Sequence, residues 1–219
     1  MQLVGSYSGK AGILLFFAGL QAIIMIIAAE SLFPGYSIRV NDLGDLASTI
    51  PPNTSPLQPS ATLFNMTIII LGLTVVFSTY SINRAFGRSM FTTLFATFGA
   101  AGIAVGIFPE DTGILHGIST LIWFVAGPLS AITSYKIVGK PFGYFSIAIG
   151  LIVLVDLVLS MTMHNSSPFS ILGRGGTERM AAYPLLIWMI GLGGFLMGFS
   201  KHHGTKEHNQ DPPAYDNSN

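Results

Sequence analysis

Six long apolar runs constrain this chain more than any other feature: about Ala11–Leu32, Ala61–Tyr80, Phe91–Phe108, Ile114–Tyr135, Pro141–Met163 and Met180–Ser200. Each is close to the ~20 residues a helix needs to cross the hydrocarbon core of a bilayer. In lipid, a single segment satisfies its own backbone hydrogen bonds only as a helix. The expected fold class is therefore all-α: an integral membrane bundle of six transmembrane helices over 1–200, with a disordered polar tail over 201–219. Charged residues make up 9% of the chain, against roughly a quarter in soluble domains. The net charge is zero, so nucleic acid is not an expected partner. The absence of cysteine removes disulfides, thiolate nucleophiles and thiolate metal sites. Lys10 precedes the first run as in a signal peptide, but the run is too long for a signal's apolar region and reads as the first membrane helix.

Orientation follows from the basic residues of the connections. With the N-terminus inside, Lys10, Arg84, Arg88, Lys136, Lys140, Lys201 and Lys206 fall on the inner side, and Arg39, Arg174 and Arg179 on the outer side. Seven against three predicts both termini in the cytoplasm and a cell-membrane location. The sequons at Asn53 and Asn165 then lie in outer loops. The outer connections are the longer ones and carry most of the acids. The first, about Phe33–Ser60, holds Asn41-Asp42-Leu43-Gly44-Asp45, with Pro51-Pro52 and Pro56 favouring turn-rich backbone. A loop of this length in a compact bundle is usually functional or disordered. The third, His164–Arg179, includes Gly173-Arg174-Gly175-Gly176, which reads as flexible backbone beside a cation. The tail contains Pro212-Pro213-Ala214-Tyr215, a match to WW-domain ligands.

Three groups of residues carry the candidate chemistry. Glu110 and Asp111 follow Phe108-Pro109 where the fourth helix begins, and helix capping accounts for both. His116 heads a stripe of Ser119, Thr120, Trp123, Gly127, Ser130 and Ser134, which recurs at helical spacing and predicts a face turned to the bundle interior. Its alternatives are a bond to a backbone carbonyl or a functional role. Asp156 is the deepest ionisable residue, in an apolar helix without a base in its core, so it must be protonated, hydrogen-bonded or paired. Ser160 and His164 follow it on the same face. His116, Asp156 and His164 are thus the catalytic candidates, and His116, His164 and Asp111 the candidate metal ligands, although no tight ligand motif is present. Asp42, Asp45, Asp111, His116, Arg174 and Arg179 are the candidate ligand-binding set, although for the two arginines pairing with Glu178, Asp42, Asp45, Glu110 or Asp111 is the favoured reading. Gly102/Gly106 and Gly194/Gly198 allow close helix contacts, within one copy or between copies in a homo-oligomer or larger membrane complex.

The pattern Asn41-Asp42-Leu43-Gly44-Asp45, Ser60-Ala61-Thr62-Leu63-Phe64-Asn65, and Gly106-Ile107-Phe108-Pro109-Glu110-Asp111 with His116 resembles the prokaryotic membrane family called domain of unknown function 998. A serine commonly precedes Asp-Leu-Gly in that family, where this chain has Asn41. The resemblance covers about Ala11–Gly198 and implies a six-helix bundle, with no activity or cofactor assigned. The leading expectation is a membrane protein that binds a lipid or small polar ligand at a polar outer cap, as a transporter-like, sensory or accessory subunit. Its competitors are an outer-face hydrolase or lipid-modifying enzyme using His116 and His164 with carboxylates, and a structural subunit.

Overall fold

The computed structural model describes residues 2–49, 55–163 and 168–208, with backbone alone for 2, 3 and 202–208. His164, both sequon asparagines and the Pro212–Tyr215 motif lie outside the described residues. Six α-helices follow one another: α1 (Gln2–Ser31), α2 (Ser60–Phe86), α3 (Met90–Ile107), α4 (Ile114–Val138), α5 (Phe142–Met163) and α6 (Gly173–His208). All six are long and apolar enough to cross a membrane, and no strand occurs among the described residues. Several ends differ from the sequence expectation. Helix α1 starts at Gln2 and α2 reaches Phe86, because polar residues prolong a helix once its apolar length has nucleated it. Helix α6 runs past Ser200 to His208, so the polar tail begins as helix.

Each helix packs on its neighbours in sequence, and α6 closes the ring against α1. Short connections leave little choice but antiparallel neighbours. The α2–α3 turn is the clearest local case. Gly87 takes φ 82°, and Ser89 then caps α3 by accepting from Thr92 N while Thr92 Oγ1 accepts from Ser89 N at 2.9 Å. The closing seam depends on missing side chains: a Cβ on Gly12 would stand 2.7 Å from the Gly193 carbonyl oxygen, and one on Gly193 equally close to that of Gly12. Gly106 sits against Asn65 and Ile69 of α2, and Gly102 against Gly72 and Trp123, so that pair serves packing within one copy. Gly194 and Gly198 face open space.

The ring's interior is filled by aromatic side chains. Phe91, Phe95, Phe98, Trp123 and Phe124 contact one another in succession, with Trp188 edge-on to Phe95. Trp188, Phe95, Phe98, Leu185 and Met189 are fully buried. The outside is equally apolar, with Ile13, Phe17, Ile24, Phe77, Leu121, Leu151, Val155 and Ile187 all exposed, as a bilayer-facing surface requires. Ion pairs between side chains are gathered, among the described residues, at one end, where the α1–α2 loop, the α3–α4 turn and the start of α6 meet.

Candidate functional site

The polar end is organised by Arg179, which is 7% exposed. Its guanidinium donates to Glu30 Oε1 from Nε (3.2 Å) and Nη2 (2.6 Å), to Tyr36 Oη (2.6 Å), and to the carbonyls of Ile38, Asn41 and Gly175. The planar five-donor fork suits this task. The Tyr36 hydroxyl passes the bond on to the Asp42 carbonyl at 2.8 Å, and burial pushes its pKa above the usual range despite Arg179. Arg179 therefore has no donor to offer a ligand. It joins α6 to the end of α1 and folds the first loop over both.

Asp45 does the same within the loop. Buried within the short 3-10 turn Gly44–Ala47, it accepts from Asn41 Nδ2 (2.9 Å), the Asp42 amide (3.0 Å) and Arg174 Nη2 (3.1 Å). Arg174 also holds Asp42 through Nε at 2.8 Å. Glu178, one turn along α6, accepts the Leu43 amide. These contacts explain why α6 begins at Gly173 rather than near Met180, placing both arginines on helix instead of loop. The Gly-Arg-Gly-Gly stretch becomes helical because loop backbone lies directly on it: a Cβ on Gly175 would be 2.0 Å from the Asn41 carbonyl oxygen.

The α3–α4 turn departs from its expected role. Glu110 and Asp111 form a separate 3-10 turn, Glu110–Thr112, and α4 starts at Ile114 after Gly113, with no side-chain cap. Asp111 is claimed by Thr49, which donates from its amide (3.0 Å) and its hydroxyl (2.7 Å), so it pins the loop instead of capping a helix. His116 Nδ1 lies 2.8 Å from the Phe108 carbonyl oxygen, which only accepts, so Nδ1 carries the proton. Glu110 is exposed but leans over the first loop, and its carboxylate and His116 Nε2 both lie against Gly44. Burial, and then Asp45, raise the Glu110 pKa. His116 and Asp111 thus serve different partners. Among the described residues no three His, Asp or Glu side chains group to hold a metal ion. The α4 stripe does face inward, with Ser119, Trp123, Gly127, Ser130 and Ser134 buried, but Ser119, Ser130 and Ser134 each donate to a carbonyl of their own helix.

Beneath this lid, α5 and α6 touch least of all the neighbouring helices. A cavity of about 450 Å³ occupies the gap, lined among others by Asp42, Phe124, Asp156, Ser160, Arg174 and Glu178. Asp156 is 1% exposed, yet its Oδ1 has no hydrogen-bond partner, and neither has Ser160 Oγ. The Ser160 hydroxyl, one turn on, falls short of hydrogen-bond geometry to the carboxyl. Asp42 Oδ1 is likewise shielded and unpartnered, and burial raises the Asp42 pKa against the pull of Arg174. Phe124 also lines a second, smaller cavity of about 50 Å³ with His116, Thr120 and Glu178. Of the expected ligand set, then, the structure brings Asp42 and Arg174 together with Asp156. Asp45, Asp111 and Arg179 are spent on the lid, and His116 borders the smaller space.

Sequence reasoning missed Glu30 as the partner of Arg179, and undervalued Glu178. Glu30 carried a usable signal: an acid at the very end of an apolar run needs a cation or a cap.

A closed ring of six apolar helices, apolar outside and polar at one end, defines a multi-pass helical membrane protein. The chain belongs to the family described as protein of unknown function (DUF998), whose model matches residues 16–194. No match was found among curated proteins or among solved structures.

Proposed function

We propose that this protein binds a small polar molecule or lipid headgroup in the cavity between α4, α5 and α6, and that its polar end faces outward. The observation that carries this reading is the pair of shielded carboxylate oxygens, Asp42 Oδ1 and Asp156 Oδ1, left without partners on the walls of one cavity. An unsatisfied buried acceptor costs about 1–3 kcal/mol, and a guest that donates to it removes that penalty. The volume falls within the few hundred Å³ usual for small-molecule sites. The outward orientation rests on the basic residues of the opposite connections. Below Phe124 the ring is filled by Phe98, Phe95 and Trp188, which supports a holding or sensing role over a path through the bilayer.

The test is native mass spectrometry of the protein purified in mild detergent. The wild type should carry a bound small molecule or lipid. Ala181→Leu, which places a larger side chain at the buried cavity wall, should lose it while melting at a similar temperature. Equal occupancy in both proteins, or none in either, would sink the proposal.

A further inference from the structure

Resting on that reading of the cavity, we infer that its ligand presents a primary ammonium group, and that Asp156 is the residue that receives it. The inventory of the walls points to a donor-rich cation. Asp42, Asp156 and Glu178 contribute three carboxyl groups, against one basic side chain, Arg174. Arg174 is already engaged by both Asp42 and Asp45, so it leaves the acids of the cavity in excess. Three unpartnered oxygens remain: Asp156 Oδ1, Ser160 Oγ and Asp42 Oδ1.

Each alternative class of guest meets a physical obstacle. An anion would have to settle among like charges, beside the buried carboxyl of Asp156. A neutral polyol supplies donors but leaves the buried acid uncompensated. A hard divalent cation demands six or more oxygens in a regular shell, and no three acidic or histidine side chains among the described residues converge to start one. A quaternary ammonium has charge but no N–H to give. A primary ammonium has both, as three donors on a compact positive head. The remaining wall is apolar, with Phe124, Leu157 and Ala181. It matches the hydrocarbon to which such a head would be attached, and the cavity is far larger than an ammonium alone. The same head occurs on aminophospholipids and on free alkylamines.

The experiment uses the full chain in neutral maltoside micelles, with thermal unfolding and retained ligand as readouts. The probes are hexylamine, hexyltrimethylammonium, hexanoate and hexanol, and, separately, lipid nanodiscs of phosphatidylethanolamine, phosphatidylcholine or phosphatidylglycerol. Hexylamine or phosphatidylethanolamine should raise the melting temperature, and Asp156→Asn, nearly isosteric, should weaken the response at least tenfold. Response to both probes or to the amine alone supports the head group as the recognised unit, whereas response to the lipid alone identifies a lipid source. Preference for hexanoate or phosphatidylglycerol, equal binding of the quaternary amine, or an amine effect untouched by Asp156→Asn would overturn the inference. If a different ligand is then lost from Ala181→Leu, the cavity reading survives without it. If nothing binds and Ala181→Leu changes nothing, both fall together.

Discussion

Removing the Arg179 guanidinium would leave Glu30, among the described residues, with only the distant Tyr183 hydroxyl, at 3.5 Å, as a side-chain partner, and would free three carbonyls of the loop and of α6. Breaking a buried pair from one side costs about 3–5 kcal/mol, so Arg179→Ala should lower the melting temperature sharply, and Glu30→Gln by less because Gln can still accept. Circular dichroism melts of the two purified variants would check the order. Glu110 is the opposite case, a carboxylate made uncomfortable by folding. Asp45 and Asp42 face it as like charges, Arg174 and His116 as opposing ones, and burial leads the upward shift. With its folded pKa above its unfolded one, its contribution favours the fold at low pH and is lost as pH rises through the folded pKa. Glu110→Gln should therefore melt no lower than wild type at pH 7 and show a flatter slope between pH 4 and 7. A steeper slope would refute the assignment. His116 illustrates what was readable at this scale: its polar stripe was visible, but whether the ring would hold a ligand or bond the Phe108 carbonyl depended on a turn conformation that composition does not encode.

At the scale of elements, the six spans were legible because lipid imposes one solution on any apolar run of that length. Their ends were not, since a helix continues beyond its apolar run wherever contacts support it. Gly173–Gly176 is the instructive failure. By intrinsic propensity two adjacent glycines argue against helix by about 1 kcal/mol each, and the segment read as loop. The α1–α2 loop overrides that preference: its Arg39 carbonyl accepts from the Gly175 amide, its Asn41 carbonyl accepts from Arg179, and its acids Asp42 and Asp45 are held by Arg174. The pairing of Arg179 with Glu30 was hidden for a related reason. It requires α6 to close on α1, a long-range choice that no local pattern announces. The glycines provide a paired test. Gly175→Ala would force a Cβ into the Asn41 and Ile38 carbonyls and should destabilise by at least the 1–3 kcal/mol typical of overpacking. Gly194→Ala, facing open space, should be neutral or gain up to about 1 kcal/mol from reduced backbone entropy. Equal melting temperatures for the two variants would contradict the packing described.

For the molecule as a whole, the lid, the cavity and the aromatic column form an ordered stack, so their meaning depends on which side of the membrane the lid occupies. A ligand arriving from outside would meet Arg174, whose side chain is 62% exposed, before the buried Asp156, whereas the opposite orientation would present the same site to the cytoplasm. The excess of Lys and Arg at the other end argues for the lid outside, because cytoplasmic connections retain basic residues. The chain has no cysteine, which makes the question directly testable. Thr112→Cys puts one thiol on the exposed α3–α4 turn at the polar end, and Arg88→Cys puts one on the exposed α2–α3 turn at the other. The second change still leaves six basic residues against three, so it should not itself invert the protein. In intact cells, a membrane-impermeant maleimide should label Thr112→Cys and spare Arg88→Cys until the cells are permeabilised. The reverse pattern would place the acid-lined cavity on the cytoplasmic side, and the ammonium-bearing ligand would then have to be sought among intracellular amines and inner-leaflet lipids.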